Sequence, residues 1–94
     1  MIYHRKWFPF DSKTVQEEVP ATSGVYVLFS HQECAYVGAT SELKAELSRL
    51  VQGIENPCLK EHAPDEFQFE VALGDDRNVR RDELIGELNP VCKD

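Results

Sequence analysis

Two runs rich in β-forming side chains, residues 25–29 and 34–40, flank a short polar break at residues 30–33. A break this short can join two strands only as a hairpin, because a parallel return needs a crossover of about a dozen residues or more. The pair must therefore be antiparallel. Directly after it, Leu43, Leu47, Leu50, Val51 and Ile54 recur at i, i+4, i+7, i+8 and i+11. That is the apolar stripe of an amphipathic helix. Thr40 or Ser41 can cap its start, and Gly53, Asn56 and Pro57 end it.

The remaining segments extend this frame. Phe67, Phe69, Val71 and Leu73 alternate with Gln68, Glu70 and Ala72, the pattern of a half-buried strand, and Gly74-Asp75-Asp76 breaks it. A last helix is expected from about Asn78 to Leu88, with Leu84, Ile85 and Leu88 on one face and Pro90 as its stop. Residues 58–65 read as loop or a helical turn. Ahead of the hairpin, residues 12–19 predict a short helix capped by Asp11 or Ser12 and ended by Pro20. Tyr3, Trp7, Phe8 and Phe10 form an aromatic arm expected to pack over a core edge, with exposed aromatics forming a partner site as the alternative. The expected fold is α+β: a three-stranded antiparallel sheet in the order ββαβα, with the helices covering one face. Residues 1–19 supply the arm and short helix, and residues 20–94 form one globular domain.

Charge narrows the function classes. The chain of 94 residues carries a net charge of −7. Nucleic-acid binding draws most of its affinity from neutralised phosphates, so this balance opposes it. The densest basic group, Arg77, Arg80 and Arg81, is diluted by Asp75, Asp76 and Asp82 and reads as a solvated helix start. No apolar run reaches membrane-spanning length, and residues 1–6 are not followed by the apolar stretch of a signal peptide. The expected location is the cytoplasm, with no membrane partner.

Cys34, Cys58 and Cys92 make an odd count without a CxxC motif, which suits reduced thiols better than a disulfide framework. Cys58 and His62 have the i, i+4 spacing of a helical ligand pair. Two ligands are too few for structural zinc, so the pair is read as incidental and no metal site is assigned.

The tripeptides Gly24-Val25-Tyr26 and Tyr36-Val37-Gly38 fall on the two hairpin strands. This pairing resembles the GIY-YIG nuclease family, in particular the N-terminal domain of excision-repair endonucleases and small stand-alone members. Thr40 with Leu43 at the helix start, the phenylalanine-bearing third strand and the Leu84-Ile85…Pro90 segment add to the resemblance, which covers roughly residues 20–94. It implies DNA repair or processing by a metal-dependent endonuclease. In such a site two tyrosines, an arginine on the first helix and a metal-holding glutamate on the last surround the scissile phosphate. Cations there stabilise the charge that phosphoester cleavage builds on oxygen.

Tyr26 and Tyr36 match this pattern. Four other positions depart from it. The basic residue after the second motif is Ala39; the arginine position, eight residues after Gly38, holds Glu46; the glutamate position holds Arg81; and the asparagine after the proline is Lys93. Arg49, one turn beyond Glu46, and Glu83, brought into place by a shift of alignment, are candidate substitutes. The sign swap at Glu46 and Arg81 predicts an ion pair across the former metal site. The expected function is a nuclease-like domain, catalytically impaired, that binds a partner, and protein is favoured over nucleic acid. No cofactor is expected. The alternative is an active nuclease using Mg²⁺ or Mn²⁺ with Tyr26, Tyr36, Arg49 and Glu83; an unrelated small α+β interaction domain is a third reading.

Overall fold

A computed structural model describes residues 7–92. Among them the elements run β1 (Phe8–Pro9), α1 (Ser12–Glu18), β2 (Gly24–Ser30), β3 (Glu33–Thr40), α2 (Leu43–Gln52), α3 (Pro57–His62), β4 (Glu66–Val71) and α4 (Asp76–Leu88). The sheet has four antiparallel strands in the order β1-β4-β2-β3, not the three expected. The extra strand is the aromatic arm. Phe8 pairs with Phe67 and Pro9 with Glu66 at the sheet edge, where a proline without an N–H is tolerated. Phe8 stacks on Phe67 and Phe69, with ring centroids 5.5 and 5.7 Å away, and Trp7 lies 4.1 Å from Phe29. The arm therefore packs on the core, as its composition suggested; Tyr3 lies outside the described residues.

The hairpin turns more tightly than expected. Ser30 pairs with Glu33, leaving His31 and Gln32 as the two turn residues, both with positive φ (52° and 69°). This is the backbone of a type I′ turn, built without the usual Asn or Gly. Asp11 caps α1 by accepting from the Thr14 amide at 2.8 Å. Helix α2 starts after Glu42, and Thr40 is not its cap; the Thr40 hydroxyl accepts from the Glu42 amide at 3.1 Å and orders the approach.

Helices lie on both faces of the sheet rather than on one. Gly24, Tyr26 and Leu28 alternate with Val25, Val27 and Phe29 along β2, so the two sets point to opposite sides. Tyr26, Leu28 and Phe67 pack with Val15 and Val19 and with Leu43, Leu47 and Leu50 of α2. Val25, Val27, Phe29 and Val37 pack with Leu84 of α4. Every residue of β2 is buried, which fits a strand covered on both sides. After α4 the chain rounds the β3 edge. Val91 N–H donates to the Cys34 carbonyl at 3.1 Å and Cys92 N–H to that of Ala35 at 2.8 Å. Cys92 reaches the α2 face and is disulfide-bonded to Cys58, with Cα atoms 5.9 Å apart. The expectation of reduced thiols is thereby corrected for two of the three cysteines; Cys34 is free and buried.

Candidate functional site

Register places the two motif tyrosines together. Tyr26 pairs with Gly38 and Leu28 with Tyr36, so Tyr26 and Tyr36 share one face, their ring centroids 6.1 Å apart. The motif glycines make this possible. A Cβ on Gly38 would approach the ring and hydroxyl of Tyr26 to under 3.0 Å, and one on Gly24 would strike the Glu70 carbonyl and Leu43. The Tyr26 ring thus lies across Gly38, while its own residue is only 3% exposed.

Helix α2 closes the site from above. Its Leu43, Leu47 and Leu50 point into the core, leaving Glu46 and Arg49 on the flank beside the tyrosines. The Tyr26 hydroxyl donates to Glu46 Oε2 at 3.0 Å. Arg49 donates from Nη2 to both Glu46 oxygens at 3.1 Å and from Nε to Oε1 at 3.3 Å. The cleft of about 200 Å³ between these groups is completed by Leu50, Glu55, Asn56 and Leu59. Burial, and next the Glu46 charge, push the Tyr26 phenol well above its ordinary value, so Tyr26 is held as a neutral donor. The hydrogen bonds and charge of Glu46 raise Arg49, which stays cationic.

The sequence candidates divide between the two sheet faces. Arg49 lines the same cleft as Tyr26 and Tyr36. Glu83 does not: on α4 it accepts from Arg80 Nη1 at 3.1 Å, while Arg80 Nε donates to Glu70 at 3.0 Å. Together these three line a different groove, beside Val71, Leu73 and Val79. The expected Glu46–Arg81 pair is replaced by local ones. Glu46 takes Arg49, and Arg81 takes Asp82 at 3.3 Å. Ala39 packs toward the α4 face with Val25 and Leu84. Lys93 lies outside the described residues. Sequence reasoning missed Glu55 and Asn56; their only signal was a position just past the Gly53 stop, where a loop can fold back over the helix end.

The same architecture occurs in known proteins. The chain matches no protein-family sequence model and no curated protein sequence. It superimposes on the GIY-YIG N-terminal endonuclease domain of UvrC from Thermotoga maritima in its magnesium-bound structure, with a TM-score of 0.68 and 19% identity over 83% of this chain and 89% of that one. Two point mutants of that domain, bound to its catalytic divalent cation, give TM-scores of 0.68 and 0.66 at 18% and 17% identity, covering 83% of this chain. The chain therefore has the GIY-YIG nuclease fold, at a sequence distance that fits a divergent example of it.

Proposed function

We propose that this chain is a GIY-YIG-fold binding module whose tyrosine cleft no longer supports metal-dependent phosphodiester cleavage, and that its partner is a protein. The observation that carries this reading is the closed set Tyr26–Glu46–Arg49. The arginine that would meet a phosphate has both oxygens of a carboxylate on it. The hydroxyl that would handle a proton is already donated to that carboxylate.

The T. maritima domain holds a catalytic divalent cation. The residues here do not fit one at the tyrosines. Magnesium requires carboxylate or phosphate oxygens in near-octahedral array. Of the carboxylates lining the cleft, Glu46 is bound by Arg49 and Tyr26, and only Glu55 remains beside it. No α4 side chain among the described residues lines the cleft, so Glu83 supplies no ligand there, and position 81 holds an arginine.

The active-nuclease reading retains one supporting observation, the placement of Arg49 beside both tyrosines. A Mg²⁺ and Mn²⁺ titration on nicked and branched DNA separates the two. We expect no cleavage, and DNA affinity no tighter than the non-specific range of about 10⁻⁴–10⁻⁶ M at physiological salt. Metal-dependent cutting that disappears in Tyr36→Phe and Arg49→Ala would overturn the proposal.

A further inference from the structure

On the α2 side of the sheet, at the foot of α3, Cys58, His62 and Cys92 bring one ligand atom each to within 4.8 Å of one another. The helix supplies two of them one turn apart. Pro57 occupies its first turn, and the Asn56 side chain caps it by accepting from the Leu59 amide at 3.1 Å. The third arrives from the end of the chain, held by the hydrogen bonds from Val91 and Cys92 to the first residues of β3. The backbone around His62 is fixed as well: its carbonyl accepts from the Ser30 hydroxyl, and Ala63 turns the chain at φ 49°. A disulfide needs only the two cysteines. The imidazole beside them completes a donor set of thiolate and neutral nitrogen, which zinc prefers, and a cation bonded at about 2.0–2.3 Å can bridge a span of this order. Cys92 is 2% exposed, whereas Cys58 and His62 are only partly buried. The open side gives a cation its entry and leaves a fourth position for water.

We propose that Cys58, His62 and Cys92 form a binding site for a thiophilic divalent cation, Zn²⁺ in chemical class, that is available when the disulfide is reduced. A dithiol reductant transfers two electrons to the S–S bond. That bond breaks, two cysteine thiols form, and the reductant closes its own disulfide. Binding of Zn²⁺ then displaces the two thiol protons, the cation bonding both thiolates and His62. Disulfide and metal site are thus alternative states of one corner, which fastens the end of the chain to α3 in either condition.

Co²⁺ is the spectroscopic probe, added to the Cys34→Ser protein so that the third thiol does not contribute. In the reduced protein we expect thiolate-to-cobalt charge-transfer absorption and the intense d–d bands of tetrahedral coordination, both discharged by one equivalent of Zn²⁺. The oxidised protein should show neither. His62→Ala keeps both cysteines and the disulfide, so its fold is secured in the oxidised state and confirmed by circular dichroism. After reduction its cobalt affinity should fall by at least about tenfold, as for loss of a group that shapes a metal site. Zn²⁺ should also raise the Tm of the reduced protein and leave that of the oxidised protein unchanged. Absence of thiolate–cobalt absorption in the reduced protein, equal binding by the oxidised protein, or an unchanged affinity in His62→Ala would each overturn the proposal.

Discussion

Replacing Tyr26 by phenylalanine removes one hydroxyl whose surroundings set both the size and the pH dependence of the effect. That hydroxyl donates to Glu46 at 3.0 Å from a residue 3% exposed. A hydrogen bond to a charged group contributes about 1.5–3 kcal/mol net. Glu46 keeps Arg49 in the variant and is not left as an unpartnered charge, so the loss should fall at the low end, about 1.5 kcal/mol at neutral pH. The pH dependence follows from the raised phenol. Burial and the Glu46 charge hold Tyr26 protonated in the folded protein above its ordinary value of 10.0. Above that pH the unfolded chain releases the proton and the folded chain keeps it. The unfolded state then binds fewer protons, and stability falls by about 1.4 kcal/mol per pH unit. The contribution is complete below the unfolded value and is lost as pH climbs from there toward the folded one. Tyr26→Phe lacks this slope. The two stability curves should therefore cross about one unit above the unfolded value, near pH 11. Urea unfolding of both proteins, followed by circular dichroism from about pH 7 to about pH 11, measures the gap directly. Ultraviolet titration should show Tyr26 silent near pH 10 in the folded protein. A gap that stays constant across that range would refute the assignment of Tyr26 as a buried neutral donor.

Gly38→Ala should cost about 1–3 kcal/mol, because the added methyl meets the Tyr26 ring and hydroxyl; thermal denaturation reads the loss. Gln32→Gly should stabilise the protein by up to about 1 kcal/mol, since a side chain at φ 69° is strained where glycine is not, and a rise in urea midpoint checks it. Reducing the Cys58–Cys92 bond without metal should cost about 3–4 kcal/mol, the chain-entropy value for a closure of 34 residues. Cys58→Ser should reproduce that shift in urea midpoint without reductant.

The hairpin and α2 were legible because each rests on local period: alternation and a polar break for the first, an apolar stripe for the second. The second covered face was also written in the chain. Val25-Tyr26-Val27-Leu28-Phe29 is apolar at every position, which a strand open to water on one side cannot sustain. The edge strand was not legible, because Phe8 and Pro9 become a strand only through Phe67 and Glu66, more than half the chain away. The cysteine pairing depends on Val91 and Cys92 hydrogen-bonding to Cys34 and Ala35, a tertiary event with no local signal. At the site, the motif placed Tyr26 and Tyr36, and helix spacing offered Arg49. Glu83 failed because its position along the sequence does not say which sheet face α4 covers.

That division between faces decides what the tyrosine cleft can attract. Two carboxylates, Glu46 and Glu55, face one guanidinium, Arg49, so the cleft is net negative. The Glu46–Arg49 pair is half exposed on the arginine side, with side-chain exposures of 25% and 53%, and an exposed i, i+3 pair contributes only about 0.3–0.5 kcal/mol. Within the closed set the Arg49 pairing is therefore the weaker half, and the anchored Glu46 the stronger. An anionic ligand would meet Glu46, which the Tyr26 hydroxyl anchors in place. In the proposed reading, repulsion by that fixed carboxylate, rather than lack of a cation, would exclude phosphate. Glu46→Arg tests the distinction, since it reverses the sign of the cleft and leaves Arg49 unpaired. DNA affinity should rise, and the slope of log K against log salt should steepen by about 0.9 for each phosphate newly neutralised, measured by fluorescence anisotropy on short duplexes. An unchanged slope would mean that nucleic acid does not reach this cleft, and that the acidic surface as a whole, not Glu46, keeps it away.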